Sequence, residues 1–356
     1  MSVVAVLGLA VALLASARLS TQAAAAAGVG HSGQGKQQPC DIYRSSGSPC
    51  VAAYSTVRAL YDGYAGPLYQ VTRASDSRTL DVRPQHRGGI ADASAQDRFC
   101  RSTTCTITEV YDQSPEGNDL AVAPGGGENP VPDKPADAAA LPVTVDGHHV
   151  YGIKITQGVG YRDNVTHGIA TDGEPESMYM VTSAKGVNSG CCFDFGNAET
   201  NNDDNGNGHM DALNFSTRCV RFSPCYGTGP WVQVDLENGL FQSNMGYSQN
   251  TRNTGTDDPF VTALTQNNGQ DYFSLKVGNA QSGGLSTNYA GLLPTIQGGG
   301  YAPMQQEGAI VLGPGGDNSN TGTGEFFEGV MTAGVTSDTA DDAVQANIVA
   351  AGYAGQ

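Results

Sequence analysis

The chain carries little charge, and what it carries is mostly negative. Only 15% of its 356 residues are charged, and 18 Lys and Arg stand against 35 Asp and Glu, which gives a net charge of −17. Nucleic acids and anionic membranes are bound through basic patches, so neither is expected as a partner. A neutral polymer is a better match for this surface.

The chain also lacks the short motifs of several enzyme classes. It contains no P-loop, dinucleotide fingerprint, Gly-x-Ser-x-Gly elbow or Cys-x-x-Cys pair, and its six His have no metal-ligand spacing. Asn201–Gly206 resembles the start of a calcium loop, but Ala212 stands where that loop requires a bidentate Glu. A solvated loop is the better interpretation, with His209 on the surface or on a pocket wall. We expect neither a metal ion nor a cofactor.

Long apolar runs are confined to the N-terminus. Val3–Leu14 has the length of a signal-peptide core, and Ala15–Ala17 has the form of a cleavage site, with a second possible site in Ala23–Ala27. The run is too short to span a bilayer, which argues against the alternative of a membrane anchor. The sequence predicts a signal peptide over residues 1–26, a flexible leader over 27–38, and a secreted, extracellular protein.

Two Asn-x-Ser/Thr triplets and eight Cys fit an oxidising, extracellular compartment. The triplets predict N-glycosylation at Asn164 and Asn214. Three pairs of Cys are close in sequence, which leaves the adjacent Cys191 and Cys192 for each other. The predicted disulfides are Cys40–Cys50, Cys100–Cys105, Cys219–Cys225 and Cys191–Cys192.

The adjacent Cys191 and Cys192 are the least usual feature of the sequence. Neighbouring Cα atoms lie about 3.8 Å apart across a trans peptide, below the usual disulfide spacing of about 4.4–6.8 Å. If the two sulfurs bond to each other, the small ring presents a rigid, polarizable apolar face. The alternative is that each pairs with a distant Cys, because spacing alone does not decide between connectivities.

Short strands separated by Gly, Pro, Asn and Asp predict an all-β fold, a β-sandwich with a few short helices. Helical periodicity occurs at Ala53–Tyr64 and at Val344–Ala351, the latter behind a cap at Ser337 or Asp338. Pro124–Pro135 reads as a long surface loop. We find no internal repeat, so residues 39–356 are expected to form one domain. The strands predicted with most support are Leu141–Val145, His149–Ile155, Ser177–Thr182, Trp231–Asp235, Tyr272–Val277 and Gly308–Leu312.

Two acidic segments are candidates for chemistry. Asp235 and Glu237 are two residues apart, so on a strand both would project from one face. Asp317 follows an apolar strand and two Gly, which let a ligand approach the backbone closely. Two carboxyl groups brought together from distant segments are what glycoside hydrolysis requires. The alternative is that both segments are ordinary turns, whose composition they share.

Taken together, several segments resemble the catalytic domain of the glycoside hydrolase family 54 α-L-arabinofuranosidases, the arabinofuranosidase B type. The resemblance spans nearly the whole mature chain, and its Cys-Cys and Asp-Leu-Glu-Asn-Gly segments are the most specific. The matching segments are Pro39–Tyr43, Cys50–Ala53, Ala65–Val71, Tyr111–Ser114, Gly190–Thr200, Gly206–Met210, Asp235–Gly239, Gly315–Asn320 and Val344–Ala350.

The resemblance implies a concanavalin-like β-sandwich, or jelly roll, and a retaining enzyme. It implies that Glu237 is the nucleophile and Asp317 the general acid/base, and that Cys191–Cys192 is a vicinal disulfide in the pocket wall. It further implies a monomer that acts on arabinose-containing plant polysaccharides and oligosaccharides of the arabinan and arabinoxylan type. The substrate-binding positions that it implies are Asp235, Asn238, Gly239 and Gly316, together with Cys191 and Cys192, and we add Tyr226 as a substrate-binding candidate.

Three departures from the family pattern stand out. Members usually continue into an arabinose-binding β-trefoil domain, whereas this sequence stops at Gln356, which predicts weaker action on insoluble polymer. Tyr226 stands where the family tends to place a pocket Trp, and Cys219 and Cys225 look like additions. A non-catalytic carbohydrate-binding β-sandwich is the alternative, and a secreted adhesion or structural β-domain is a third possibility that leaves the paired carboxyl groups unexplained.

Overall fold

The chain folds mainly into antiparallel strands. A computed structural model describes residues 1–2, 37–295 and 301–355. One compact unit extends over Gly35–Gln356. The predicted signal peptide and nearly all of the predicted leader lie outside the described residues, so both remain predictions.

Three helices and twenty strands occur in the described residues. The helices are α1 (Pro39–Ser45), α2 (Ala93–Phe99) and α3 (Asp338–Ala350). The strands are β1 (Cys50–Ser55), β2 (Tyr69–Arg73), β3 (Thr79–Val82), β4 (Cys105–Val110), β5 (Leu120–Val122), β6 (Ala136–Asp137), β7 (Pro142–Val145), β8 (His148–Tyr151), β9 (Ile153–Ile155), β10 (Tyr161–Asp163), β11 (Glu176–Thr182), β12 (Asp194–Ala198), β13 (Asp211–Ser216), β14 (Trp231–Asp235), β15 (Leu240–Phe241), β16 (Val261–Asn267), β17 (Tyr272–Asn279), β18 (Ser282–Leu292), β19 (Ala309–Gly313) and β20 (Gly324–Ala333).

Two large sheets pack face to face, as the all-β sandwich prediction requires. The 11-stranded sheet has the order β15-β14-β13-β12-β19-β10-β5-β4-β2-β3, with β6 beside β4. The 7-stranded sheet has the order β1-β20-β11-β16-β17-β18, with β9 beside β20, and β7 and β8 form a separate hairpin. Phe195 of β12 spans the interface, because its ring lies 6.1 Å from that of Tyr54 on β1 and 5.5 Å from that of Phe326 on β20. The β-sandwich is confirmed.

The 7-stranded sheet is covered on both faces, which explains its continuously buried strands. Every residue of β1, β11 and β16 is buried. On β11, Met178 lies against Gly196 of the other sheet, whereas the neighbouring Tyr179 packs against Tyr43 of α1. Successive residues of a strand point to opposite faces, so the sheet has the second sheet on one side and helices on the other.

The sequence predicted one helix correctly and one wrongly. Helix α3 begins behind Ser337, whose side chain accepts a hydrogen bond from the Ala340 N–H, as a cap should. The helix predicted from the periodicity of Ala53–Tyr64 is wrong. Cys50–Ser55 is a strand, and residues 56–64 contain no helix. All six residues of that strand are buried, and a short, wholly apolar run does not distinguish a strand from a helix.

The six predicted strands are present, with shifts of one or two residues at their ends. The exception is the predicted strand His149–Ile155, which is divided at Gly152 into β8 and β9. A side chain at Gly152 would collide with Phe327 and Leu141. Pro124–Pro135 contains neither helix nor strand, so the predicted loop is confirmed.

All four predicted disulfides are formed. The Cys191–Cys192 peptide is cis, so the two Cα atoms lie 2.9 Å apart and not at the trans spacing assumed above. Apart from this pair, the bridges close short local loops. No helix in the described part of the chain is long and apolar enough to cross a membrane.

Glycosylation at Asn214 is contradicted by the fold. Asn214 lies within β13 and has no exposed surface, and its amide nitrogen donates to Asp194 at 2.6 Å. A glycan on that nitrogen has no route to solvent. Asn164 is half-buried beside the exposed Val165, and its glycosylation remains a prediction.

Candidate active site

A polar cavity of about 520 Å³ brings together most of the predicted site residues. Its lining comes from segments that flank β12, β14 and β19, three strands of the 11-stranded sheet. The lining residues used below are Cys191, Cys192, Glu199, Asp204, Asp235, Glu237, Gly316 and Asp317. The sequence predicted six of these eight residues.

Backbone N–H groups hold the Glu237 carboxylate from three sides. Its Oε1 accepts hydrogen bonds from the N–H groups of Asn205 at 2.7 Å and Gly206 at 2.8 Å, and its Oε2 accepts one from His209 at 2.8 Å. A carboxylate accepts about four hydrogen bonds, and the Asp204 carboxyl group is a fourth hydrogen-bond partner of Glu237. The loop of residues 201–206, predicted only as a solvated loop, therefore fixes the orientation of Glu237.

Asp235 ends a strand, and Glu237 lies in the turn that follows, so the two residues do not share the face of one strand. Strand β14 ends at Asp235, whose Oδ1 accepts a hydrogen bond from the Glu237 N–H at 3.0 Å. Glu237 has a φ of +65°, a left-handed conformation that is uncommon for residues other than Gly and that often occurs at functional sites. The prediction that both side chains share a strand face is wrong, although both line the cavity.

The segment that carries Asp317 is a tight turn after β19. The Gly315 N–H donates to the Ser319 carbonyl at 2.9 Å, and Asp317 Oδ1 accepts from the Ser319 N–H at 2.9 Å. The long loop of residues 124–135 packs on this turn, since the Glu128 N–H donates to the Asp317 carbonyl at 3.1 Å. Asp317 is thus held by local hydrogen bonds and by a neighbouring loop.

The Cys191–Cys192 disulfide forms one wall of the cavity. The Cys192 N–H donates to the Ser319 carbonyl at 2.9 Å, and the Thr321 N–H donates to the Cys191 carbonyl at 2.8 Å. Cys192 Sγ lies 3.7 Å from Asp235 Oδ2. These sulfurs and the carboxyl group converge as metal ligands do, but sulfurs bonded to each other offer no thiolate.

Three predicted substrate-binding residues lie outside the cavity lining. The Asn238 amide donates to the Gly206 carbonyl at 2.8 Å, and Gly239, with a φ of +137°, leaves no room for a side chain beside Phe222. Tyr226 is 42% exposed, and its carbonyl accepts a hydrogen bond from the Trp231 indole at 2.8 Å. Asn238 and Gly239 therefore support the loop around Glu237, and a sugar contact for all three remains a prediction.

Sequence reasoning missed three acidic side chains of the cavity lining, which are Glu128, Glu199 and Asp204. Burial and the charge of Glu237 raise the pKa of Asp204 to about 6. The same two causes raise the pKa of Glu199 to about 8. Glu199 lies within the specific Cys-Cys segment Gly190–Thr200, which was the only signal available for it.

Asp235, which the sequence did predict, also has a raised pKa. Burial and the charge of Asp204 raise its pKa to about 7. Behind the cavity lies Arg162, which is 3% exposed and whose pKa burial lowers to about 10. At mildly acidic pH the cavity therefore holds several protonated carboxyl groups next to the firmly oriented Glu237 carboxylate. This arrangement is suited to proton transfer.

A carboxyl-rich cavity on a β-sandwich, with an apolar disulfide wall, is typical of carbohydrate-active enzymes. Residues 39–354 match the family model described as the catalytic part of α-L-arabinofuranosidase B. The chain belongs to this family, and the resemblance noted in the sequence is confirmed.

Individual relatives agree with this assignment. α-L-Arabinofuranosidase B of Emericella nidulans is 51% identical over 320 residues, which are 89% of this chain and 62% of that protein. An arabinofuranosidase/β-xylosidase of Trichoderma koningii is 50% identical over 321 residues, 89% of this chain and 63% of that protein. The solved structure of an arabinofuranosidase complexed with arabinofuranosyl-α-1,2-xylobiose superimposes with a TM-score of 0.86 and 47% identity, covering 90% of this chain and 66% of that one. The chain thus spans less than two thirds of the relatives it matches.

Proposed function

We propose that the protein is a secreted, retaining α-L-arabinofuranosidase that removes terminal arabinofuranosyl residues from arabinan- and arabinoxylan-type polysaccharides and oligosaccharides. The observation that carries the proposal is the Glu237 carboxylate, oriented by three backbone N–H groups in a cavity that Asp317 also lines. Family membership and the arabinofuranosyl-xylobiose bound by a relative support the substrate class.

In the first step Glu237 is the nucleophile. Its carboxylate attacks the anomeric carbon and forms a covalent ester. The bond between that carbon and the leaving oxygen breaks at the same time, and Asp317 gives its proton to the leaving oxygen. The products of this step are the free alcohol and the arabinofuranosyl-enzyme.

In the second step the roles reverse. Asp317, now ionised, takes a proton from a water molecule, whose oxygen attacks the anomeric carbon. The ester bond breaks, Glu237 becomes a carboxylate again, and arabinose leaves with the anomeric configuration of the substrate. Two displacements on opposite faces of the sugar account for the retained configuration.

Substrate binding combines apolar and polar contacts. The Cys191–Cys192 face packs on the C–H face of the furanose, while Asp235 and the backbone at Gly316 bind its hydroxyl groups. The four disulfides fit an oxidising, extracellular compartment. We expect the secreted chain to act as a monomer.

The decisive test uses an aryl α-L-arabinofuranoside, whose chromophore is released on hydrolysis. We expect release, and we expect NMR to detect the retained anomer of arabinose first. Arabinose binding without release would instead indicate a non-catalytic carbohydrate-binding protein. Formation of the inverted anomer as first product would exclude the two-step mechanism.

Asp317→Asn tests the assignment of the acid/base. With a poor leaving group, glycosylation should slow by about 10²- to 10⁴-fold, because general acid catalysis is lost. With a leaving group that departs without protonation, a burst of chromophore should precede slow deglycosylation. An equal loss for good and poor leaving groups in the glycosylation step would contradict the role of Asp317 as general acid.

A further inference from the structure

Glu199 is a buried carboxyl group at the cavity that the two catalytic steps do not use. It follows β12 directly, lines the cavity, and is only 1% exposed. Neither of its carboxyl oxygens accepts a hydrogen bond from another residue. Buried polar groups are nearly always hydrogen-bonded, so a carboxyl group in this state requires an explanation.

The Glu199 carboxyl group is packed against the turn that carries Asp317. Gly316 leaves room for it, since a side chain there would overlap Oε2 of Glu199. Arg162 Nη1 donates to the Gly316 carbonyl at 2.6 Å, and Arg162 Nη2 donates to the Glu199 carbonyl. The guanidinium therefore ties the two backbones together and makes no hydrogen bond to the carboxyl group between them.

These contacts favour an uncharged carboxyl group. The Glu199 carboxyl group has a backbone hydrogen bond from its own N–H and none from any other residue. A buried carboxylate with so few donors is destabilised, and it takes up a proton instead. The raised pKa of about 8, caused by burial and by Glu237, has the same direction. The charged and titratable groups around Glu199 are Arg162 on β10, Asp194 on β12, Asp235 on β14, Glu237 in the turn after β14 and Asp317 in the turn after β19. Only Arg162 among these is a cation.

We propose that Glu199 is a positioning residue of the reaction: an uncharged carboxylic acid, wedged beneath Gly316, that fixes the turn carrying Asp317 and keeps a further negative charge away from Glu237. This inference rests on the proposed function. When Glu199 loses its proton, the new charge repels the Glu237 carboxylate and strains the Gly316 turn. Glycosylation then slows, although neither catalytic group has changed.

The test measures the glycosylation burst in the Asp317→Asn background, with an aryl arabinofuranoside whose leaving group needs no proton. In this background Asp317 no longer takes part in proton transfer, so the burst reports the attack by Glu237. We expect the burst rate to fall as the pH rises through about 8. Adding Glu199→Gln, which is uncharged and of equal size, should leave the rate at about pH 6 within roughly twofold and abolish the alkaline fall.

Two further variants separate positioning from folding. Glu199→Ala removes the wedge, so its burst rate should fall at least about tenfold at every pH, because a misplaced catalytic group is costly. Glu176→Gln is the matched control: Glu176 is equally buried and burial also raises its pKa, but it lies outside the cavity lining. With Glu176→Gln added to the Asp317→Asn background, the burst rate should still fall as the pH rises through about 8. Melting curves verify that each variant is folded.

Infrared difference spectra give a readout that does not depend on turnover. At about pH 6 the wild-type spectrum should contain the C=O band of a protonated acid that Glu199→Gln lacks, and this band should disappear through about pH 8. An alkaline fall that persists in folded Glu199→Gln, or the absence of the band, would overturn the inference. Absence of turnover in the wild type would instead overturn the proposed function.

Discussion

Two buried arrangements of Arg with Glu stand out among the residues that the structure describes, and they are built in opposite ways. Arg58 and Glu328 form a bidentate pair, with Nε to Oε2 at 2.5 Å and Nη2 to Oε1 at 2.7 Å. The hydroxyl groups of Tyr179 and Tyr353 donate to the same carboxylate at 3.1 and 2.7 Å. Each Glu328 oxygen therefore accepts two hydrogen bonds. At the cavity, Arg162 donates only to the backbone of Glu199, and neither oxygen of the Glu199 carboxyl group accepts a hydrogen bond from another residue.

This difference in hydrogen bonding indicates that Arg58–Glu328 is a structural pair and that Arg162–Glu199 belongs to the functional site. Arg58 and Glu328 join the segment after β1 to β20, and Arg58 also donates to Asn347 of α3 at 2.7 Å. Every charge there is compensated, so the pair holds the helices on the 7-stranded sheet. The cavity leaves carboxyl groups uncompensated, and these are the groups whose protonation changes near neutral pH.

The largest expected effect is on kcat, for a substitution at the cavity. Glu237→Gln keeps the size of the side chain but removes the nucleophile, so kcat should fall by more than about 10⁴-fold on every substrate. Its melting temperature should fall only slightly, because the amide oxygen still accepts the hydrogen bonds of Asn205 and Gly206 and only the one from His209 is lost. Turnover with good leaving groups after this change would contradict the assignment of Glu237.

The same substitution on the structural side should have the opposite result. Glu328→Gln leaves the buried Arg58 charge without a counter-charge, which should lower the free energy of unfolding by about 3–5 kcal/mol. At a temperature where the variant is folded, kcat should be unchanged. Urea unfolding and kinetics on one preparation check both expectations, and a variant of normal stability would show that the pair is not structural.

How much the sequence predicted differs between the same two regions. In the 7-stranded sheet, β11 and β17 were found, because they are largely apolar and bounded by turn residues, whereas β1, β16, β18 and β20 were missed. Strands β12 and β13 were missed. They bury Asp194, Asn197 and Asn214, and polar residues at buried positions conceal the pattern of a strand. Buried polar residues therefore concealed two of the strands beside the site, whereas β14 and β19 of the same sheet were found.

The residues of the site divide in a similar way. The resemblance to the family supplied Glu237, Asp317 and the Cys pair, which carry recognisable side chains in specific segments. The groups that orient Glu237 are backbone N–H donors, and every residue except Pro has one, so no sequence pattern identifies them. Glu199 and Arg162 come together only through the pairing of β10, β19 and β12.

A smaller effect is expected from the cavity wall. Replacing both Cys191 and Cys192 by Ala removes the apolar face but opens almost no loop, so the unfolded chain gains little entropy. We expect KM to rise by roughly tenfold and the melting temperature to change little, since one tenfold step is about 1.4 kcal/mol of binding. Cys40→Ala with Cys50→Ala is the matched control, because that bridge lies in the core cluster and not in the cavity lining. It should lower stability and leave KM unchanged.

The smallest effect concerns a third acidic arrangement, which lies between the sheets and away from the cavity. Glu176 of β11 and Asp211 of β13 share a hydrogen bond, and burial raises the pKa of both, that of Asp211 to about 7. The folded chain therefore keeps protons that the unfolded chain loses near its ordinary carboxyl pKa of about 4. Between about pH 4 and pH 7 the folded state binds more protons, so the free energy of unfolding falls as the pH rises.

Glu176→Gln measures the contribution of this pair. It removes a titrating carboxyl group but keeps a donor for Asp211, so the pH slope of stability should become flatter by about 1 kcal/mol per pH unit. The cavity acids Asp204 and Asp235 have pKa values raised to about 6 and about 7, so part of the slope remains. Urea unfolding at several pH values gives both slopes. Equal slopes for wild type and variant would mean that the buried pair carries no extra proton in the folded state, and that the uncompensated acids of the cavity alone account for the pH dependence.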